Sequence, residues 1–158
     1  MTPTITTTHQ RLLIGKSLTM SLTDNKTAQL WQSFIPQIPL IPNRIDQNKI
    51  SMAIYEADYF GSFSPARLFD KWAAVEVNTF NIIPDNLQSF KIPAGMYAVF
   101  QYKGLSSDNS IFHYIFSEWL PKSGYRLDNR PHFEILGDKY QNNHPDSEEE
   151  IWIPVKIG

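Results

Sequence analysis

The chain of 158 residues contains no cysteine. Disulfide bonds, thiolate metal ligands and a cysteine nucleophile are therefore excluded. The chain also lacks an excess of positive charge, because its 14 Lys and Arg residues are outnumbered by 16 Asp and Glu residues, which gives a net charge of −2. A surface that binds nucleic acid usually carries clustered basic residues, so we expect no direct nucleic-acid partner.

Long apolar runs are missing as well. The first ten residues are rich in threonine and do not show a basic start followed by an apolar stretch, so they do not resemble a secretory signal. No segment has the length of a membrane span. We therefore expect no membrane partner and a cytoplasmic location, and we expect residues 1–10 to be flexible.

Aromatic residues are plentiful, at 13% of the chain, within a composition that is 42% hydrophobic and 19% charged. This composition is typical of a globular protein, and 158 residues are enough to bury a core. We predict a single domain over residues 1–158. The surplus of Tyr and Trp also favours binding of apolar or cationic ligands.

The apolar spacing predicts two similar halves, each with the element order β-α-β-β. In the first half, the predicted elements are a strand over 12–20, a helix between Asp24 and Pro36, and strands over 51–56 and 69–77. In the second half, they are a strand over 90–103 with a break at Pro93-Ala94-Gly95, a helix between Asp108 and Pro121, and strands over 132–136 and 150–156. Asp24 and Asp108 are the expected helix caps, and the prolines are expected to end the helices.

This order of elements predicts an α+β fold with an antiparallel sheet and helices on one face. The repeats would span residues 11–80 and 88–158. Two such units side by side leave a cleft where they meet, and clefts of this kind are common places for small-molecule sites. We therefore expect a ligand groove at the repeat junction.

Glu134 is the most informative single residue, because it lies between Phe133 and Ile135 in a predicted half-buried strand. A carboxylate there is costly unless something neutralises it. Alternation along the strand puts His132, Glu134 and Leu136 on one face. Glu134 is then either an acid with raised proton affinity that attracts a cation or acts as a general base, or a structural acid paired with Lys or Arg.

Several segments together resemble one known family. The segments are Leu30–Phe34, Trp72–Val77, Lys91–Phe100, Trp119–Tyr125, Pro131–Glu134 and Ile151–Lys156. In this order they are similar to the GyrI-like domain, also called the AraC-type effector-binding domain, which serves bacterial multidrug-responsive transcription regulators. The resemblance covers nearly the whole chain and starts near Leu12, which implies a stand-alone member without its own DNA-binding domain.

The resemblance implies two β-α-β-β repeats around a central groove. It also implies that Glu134 matches the buried acid that meets cationic aromatic ligands in drug-sensing members, and that Trp152 matches an aromatic wall residue. The aromatic residues that we expect to line the groove are Tyr55, Trp72, Tyr97, Trp119 and Trp152. Ordinary core packing is the alternative interpretation of each. Tyr55 or Tyr97 would supply a phenol if the site carries out chemistry.

No motif for a metal or cofactor is present. The four histidines are scattered, and His132 with Glu134 lacks a third ligand, so we predict no metal and no cofactor. The acidic run of Asp146 and Glu148–Glu150 is expected to be a solvated turn.

Three functions remain open at this stage. The first is the binding or sensing of an amphipathic, cationic aromatic small molecule. The second is hydrolysis of a reactive electrophile, with Glu134 activating a water and Tyr55 or Tyr97 assisting. The third is a protein-interaction module that inhibits a partner protein. The sequence carries no pattern that fixes an oligomeric state.

Overall fold

The computed structural model describes residues 1–158 and has an α+β fold built on nine antiparallel strands. The strands are β1 (Thr4–Thr8), β2 (Arg11–Met20), β3 (Lys49–Ile54), β4 (Phe69–Val77), β5 (Gln88–Ile92), β6 (Gly95–Lys103), β7 (Tyr125–Leu127), β8 (His132–Leu136) and β9 (Glu148–Ile157). The helices are α1 (Thr27–Phe34), which continues into a 3-10 helix (Ile35–Leu40), and α2 (Ser110–Tyr114), which continues through a π-helical turn (Ile115–Trp119) into α3 (Leu120–Lys122). None of these helices has the length and apolar character that a membrane crossing requires.

The strands follow the order β1-β6-β9-β8-β3-β4-β2-β5, and the short strand β7 adds to β9. The pair β3–β8 lies at the middle of this order, with three strands on either side. Every pairing in the sheet is antiparallel, which confirms the predicted antiparallel sheet.

Two apolar cores lie on the same face of the sheet. The first packs α1 against β2 and β4, and it includes Leu30, Phe34 and Val75. The second packs the α2–α3 segment against β6 and β9, and it includes Ile115 and Ile153. Ser51, Glu134 and Ile151 are register partners across β3, β8 and β9, so side chains of both cores point the same way. The helices therefore cover one face, as the sequence predicts.

The opposite face carries a third core and is strongly curled. The guanidinium of Arg11 on β2 lies 4.9 Å from the ring centre of Trp152 on β9. Three strands separate β2 from β9, so on a flat sheet β2 and β9 would lie about 19 Å apart. Arg11 also donates a hydrogen bond of 2.8 Å to Oε1 of Glu76. The curl therefore brings distant strands into one buried cluster on this face.

The N-terminal segment differs from its prediction. Residues 1–10 are expected to be flexible, but Thr4–Thr8 form β1, which pairs with β6 from Thr4–Val99 to Thr8–Gly95. The threonine-rich sequence suits this place because β-branched residues fit a pleated surface.

The helix boundaries differ from their predictions as well. Lys26, not Asp24, occupies the N-cap of α1, and Pro36 shifts the backbone into a 3-10 helix instead of ending it. Asn109, not Asp108, occupies the N-cap of α2. Pro121 does not end the helical segment either, which continues as α3 to Lys122.

Candidate functional site

Four side chains on β3 and β8 form a strip between the two helix-covered cores. They are Ser51, Ala53, His132 and Glu134, and we call them the central strip. Ser51 pairs with Glu134, and Ala53 pairs with His132, so all four lie on the helix side of the sheet. Ser51 and Ala53 are small and buried beside the acid and the imidazole.

Glu134 is half-buried on this strip. No lysine, arginine or histidine forms a salt bridge with it, although six such bridges occur elsewhere in the protein. The alternative in which a basic side chain neutralises Glu134 is therefore wrong. A half-buried carboxylate without a cationic partner retains much of its attraction for an incoming positive charge.

A second carboxyl group, from Glu149 on β9, lies beside Glu134. Ile151 is the register partner of Glu134, so Glu149 is its diagonal neighbour on the same face. The pKa of Glu149 is raised to about 8 by burial, by the charge of Glu134 and by a hydrogen bond to Glu134, against a smaller opposing effect of Lys71. Glu149 is therefore mostly protonated at neutral pH.

The position of Glu149 corrects the prediction of a solvated acidic turn. Strand β9 begins at Glu148, so the acidic run is the start of a strand and not wholly a loop. The signal for this was present in the sequence, because Glu149 continues the alternation of Ile151 and Ile153 back by two residues.

Tyr55 follows the end of β3 and packs beside the strip. Its ring centre lies 4.6 Å from that of Tyr59 and 4.9 Å from that of His132. Burial, followed by the proximity of Tyr59 and Glu134, raises the pKa of Tyr55 well above its usual range. The phenol therefore stays protonated and can donate a hydrogen bond.

His132 lies within a stack of rings that come from both sides of the strip. Phe60, from the loop after β3, stacks on it at 5.5 Å, and Phe116, from the π-helical turn, lies 6.2 Å away. Phe60 and Phe116 also stack on each other at 5.1 Å. Burial lowers the pKa of His132 to about 3, so the imidazole is neutral. We call Tyr55, Tyr59, Phe60, Phe116 and His132 the aromatic cluster.

The loop between β3 and β4 that supplies Tyr59 and Phe60 is held by Arg67. This guanidinium forms salt bridges with Asp58 and with Glu56, the latter at 3.2 Å. It also donates a hydrogen bond of 3.1 Å to the backbone oxygen of Asp58. These bonds fix the loop in a position that places its rings over the strip.

Three of the predicted lining residues lie on the opposite face of the sheet. Trp152 is the register partner of Phe133 and stacks on it at 5.1 Å, so it points away from Glu134. Trp72 and Tyr97 belong to the same opposite-face core. The hydroxyl of Tyr97 donates a bond of 2.7 Å to the backbone oxygen of Pro131, and burial raises the pKa of Tyr97 to about 12. The predicted placement of Trp152, Trp72 and Tyr97 beside Glu134 is therefore wrong.

Trp119 lies on the helix side but not at the strip. Its ring packs edge-on against Phe100 at 5.1 Å and parallel to Tyr125 at 6.3 Å. Together with Tyr114 and Glu118 it also lines a surface hollow of about 260 Å³. Of the six residues predicted to bind ligand, the structure thus brings Glu134 and Tyr55 together. No group of three or more His, Asp and Glu side chains is arranged to hold a metal ion.

Comparison with known proteins agrees with this architecture. Residues 4–155 match a family model described as the integron-associated effector binding protein Cass2. The transcriptional regulator BrlR of Pseudomonas aeruginosa is 26% identical over 145 residues, which cover 90% of this chain and 51% of BrlR. The chain therefore spans about half the length of this curated relative.

Solved structures of other proteins share the fold, among them the two that follow. SAV2435, solved bound to tetraphenylphosphonium, superposes with a TM-score of 0.73 at 18% identity, and the match covers 99% of this chain and 94% of SAV2435. The integron cassette protein VCH_CASS2 of Vibrio cholerae gives a TM-score of 0.66 at 17% identity, over 97% of this chain and 95% of that protein.

Proposed function

Since the chain belongs to the family of integron-associated effector-binding proteins, we propose that it binds a cationic aromatic small molecule at the central strip. Glu134 would attract the positive charge, and the aromatic cluster would contact the rings of the ligand. Tyr55 would add a hydrogen-bond donor at one end. Trp72, Tyr97 and Trp152 would support the sheet from the opposite face without touching the ligand.

The symmetry of the strand order favours this location. The order β2-α1-β3-β4 in the first half corresponds to β6-α2-β8-β9 in the second, and β3 and β8 pair at the centre. We take these as two β-α-β-β repeats, with the central strip as the floor of a groove at their junction. Each repeat then supplies one helical wall and part of the floor.

The unpaired carboxylate of Glu134 is the observation that carries the proposal. A cation placed there gains an opposite charge and the negative faces of nearby rings, and each cation–π contact is worth about 0.5–2 kcal/mol. Tetraphenylphosphonium, the ligand of SAV2435, combines a permanent positive charge with aromatic surface. It is therefore a suitable first probe for this chain.

The test is a calorimetric titration of the protein with tetraphenylphosphonium. We expect the wild type to bind and Glu134→Gln to bind at least about tenfold more weakly, because removal of one opposing charge near a desolvated cation costs at least about 1.4 kcal/mol. Glu150→Gln is the matched control. Glu150 is close in the sequence, but its register partner is Ile135, so it lies on the opposite face. Equal affinity of Glu134→Gln and the wild type would contradict the proposal.

Hydrolysis is the second candidate, favoured by the presence of Tyr55 and Glu134 at one site. A carboxylate can activate a water, and a protonated phenol can donate to a leaving group. Turnover of a small electrophile that both Glu134→Gln and Tyr55→Phe abolish would support it. Ligand binding without turnover would contradict hydrolysis and leave binding as the function of the site.

A further inference from the structure

We infer that binding of a monovalent cation at the central strip releases a proton from the Glu134–Glu149 pair, which makes Glu149 the residue that sets the pH dependence of affinity. This inference rests on the proposed function, because it requires that a cation binds beside Glu134. It goes beyond that function by assigning a role to a residue of the acidic run.

The geometry of the pair is the first support. Glu134 and Glu149 are diagonal neighbours on adjacent antiparallel strands, and side chains in such positions are within reach of each other. Two carboxyl groups at this distance resist double ionisation, so the pair keeps one proton while no cation is present.

The charged and titratable groups around the pair do not supply a replacement cation. Tyr102 on β6 is the register partner of Glu149, and Tyr140 lies in the loop after β8. Lys71 on β4 and Lys49 on β3 are the nearby basic residues on this face, and neither forms a salt bridge with the pair. The charged residues of the overlying helical segment are all exposed, namely His113, Glu118 and Lys122.

A bound cation changes the protonation of the Glu134–Glu149 pair. With the pKa of Glu149 at about 8, the pair carries a single negative charge at pH 7, and Glu149 is about nine-tenths protonated. A permanent cation closer than Lys71 favours the doubly ionised pair. The O–H bond of Glu149 then breaks, its electron pair stays on the carboxylate, and the proton passes to the buffer base.

The sign of the pH dependence follows from this linkage. Near pH 6 Glu149 is neutral when the ligand arrives, and above about pH 8 it carries a negative charge of its own. Affinity should therefore rise with pH between about 6 and 8, by at most about tenfold per unit, and then level off. His132 does not titrate in this interval, because its pKa is about 3.

The experiment is calorimetry of tetraphenylphosphonium binding at pH 7 in phosphate and in Tris, whose ionisation enthalpies differ. The probe has no titratable group, so the dependence of the observed enthalpy on the buffer counts protons released by the protein. We expect the wild type to release between about 0.5 and 0.9 proton per ligand. Glu149→Gln should release none and should bind with an affinity that is flat between pH 6 and 8.

Glu150→Gln serves as the control and should release the same number of protons as the wild type. Binding by the wild type without proton release, or with a flat pH profile, would overturn the inference and leave the proposed function intact. No binding by the wild type would overturn both. Should Glu149→Gln fail to fold, the proton count and pH profile of the wild type decide the matter by themselves.

Discussion

His132 makes the fold sensitive to acid. Its imidazole is half-buried among rings and has a pKa of about 3, whereas a histidine in the unfolded chain has a pKa near 6.5. The unfolded state therefore binds a proton that the folded state excludes, and stability falls as the pH drops from about 6.5 toward 3. His132 alone therefore lowers the free energy of unfolding in acid.

The residue-scale prediction is that His132→Phe reduces this acid sensitivity. From pH 6.5 to pH 5 the wild type should lose about 1.6 kcal/mol of unfolding free energy through His132, and the variant should be spared that loss. Urea unfolding at the two pH values measures the difference. His113→Phe is the control, because His113 is exposed. Equal losses in His132→Phe and the wild type would contradict the prediction.

Alternation along a strand was sufficient to predict which face of the sheet carries Glu134, but not which face carries Trp152. The sequence shows that Glu134 faces away from Phe133, and this follows from local geometry alone. Whether Trp152 faces with Glu134 or against it depends on the register between β8 and β9. That register pairs Phe133 with Trp152 and is fixed by contacts distant in the sequence.

At the scale of elements, the loop between β3 and β4 depends on one guanidinium. Arg67 ties Glu56 and Asp58 together, and its guanidinium lies 5.7 Å from the ring centre of Tyr59. The guanidinium also donates to the backbone oxygens of Asp58 and Ser62, so it adds long side-chain bonds to the short backbone bonds of the loop.

The element-scale prediction is that Arg67→Ala loosens this loop. Backbone amides such as those of Tyr59 and Ser62, which donate hydrogen bonds within it, should exchange at least about tenfold faster, because each such bond is worth about 1 kcal/mol and several are weakened together. Exchange along β4 should not change. Hydrogen–deuterium exchange with mass spectrometry measures this, and Arg126→Ala, at an exposed site, is the control. Unchanged exchange in the loop would contradict it.

Strands were easier to predict than helix ends. The observed bounds of β4 and β8 agree with the predicted 69–77 and 132–136, because their apolar alternation is bounded by turn residues. Pro36 and Pro121 were misleading, since the helical segment continues beyond each of them, to Leu40 and to Lys122. The π-helical turn that presents Phe116 has no signal in the sequence that we recognise.

At the scale of the whole molecule, the two faces of the curled sheet carry different functions: one face would bind the ligand, and the other contributes to stability. Its two faces carry different cores, and Trp152 belongs to the core opposite the central strip, under Arg11 and against Phe133. Changes on that face should alter the stability of the protein with little effect on a ligand bound at the strip.

The corresponding prediction concerns Trp152→Leu. Removal of the indole should lower the unfolding free energy by about 2 kcal/mol, because it leaves a cavity beneath Arg11. The affinity for tetraphenylphosphonium should stay within about twofold of the wild type. Chemical denaturation and calorimetry measure the two quantities. Phe60→Leu, in the aromatic cluster, is the contrasting variant, and it should lower the affinity for tetraphenylphosphonium. A loss of affinity in Trp152→Leu as large as that in Phe60→Leu would contradict the separation.

The antiparallel sheet and its helix-covered face followed from the sequence, whereas the strand order did not. Strand β1 precedes β2 in the chain but pairs with β6, and β5 precedes β6 but pairs with β2. The edge strand of each half of the sheet therefore comes from the chain segment that leads into the other half. Such pairings join segments more than 70 residues apart, and no local pattern encodes them.

The strand order also determines when the protein can fold during its synthesis. The last strand to be made, β9, lies between β6 and β8 in the interior of the sheet. A nascent chain that has not yet released Glu148–Ile157 from the ribosome therefore has two open strand edges facing a gap. Thr4–Thr8, made before the other strands of the sheet, must wait for β6. The complete sheet can therefore form only after Glu148–Ile157 has left the ribosome.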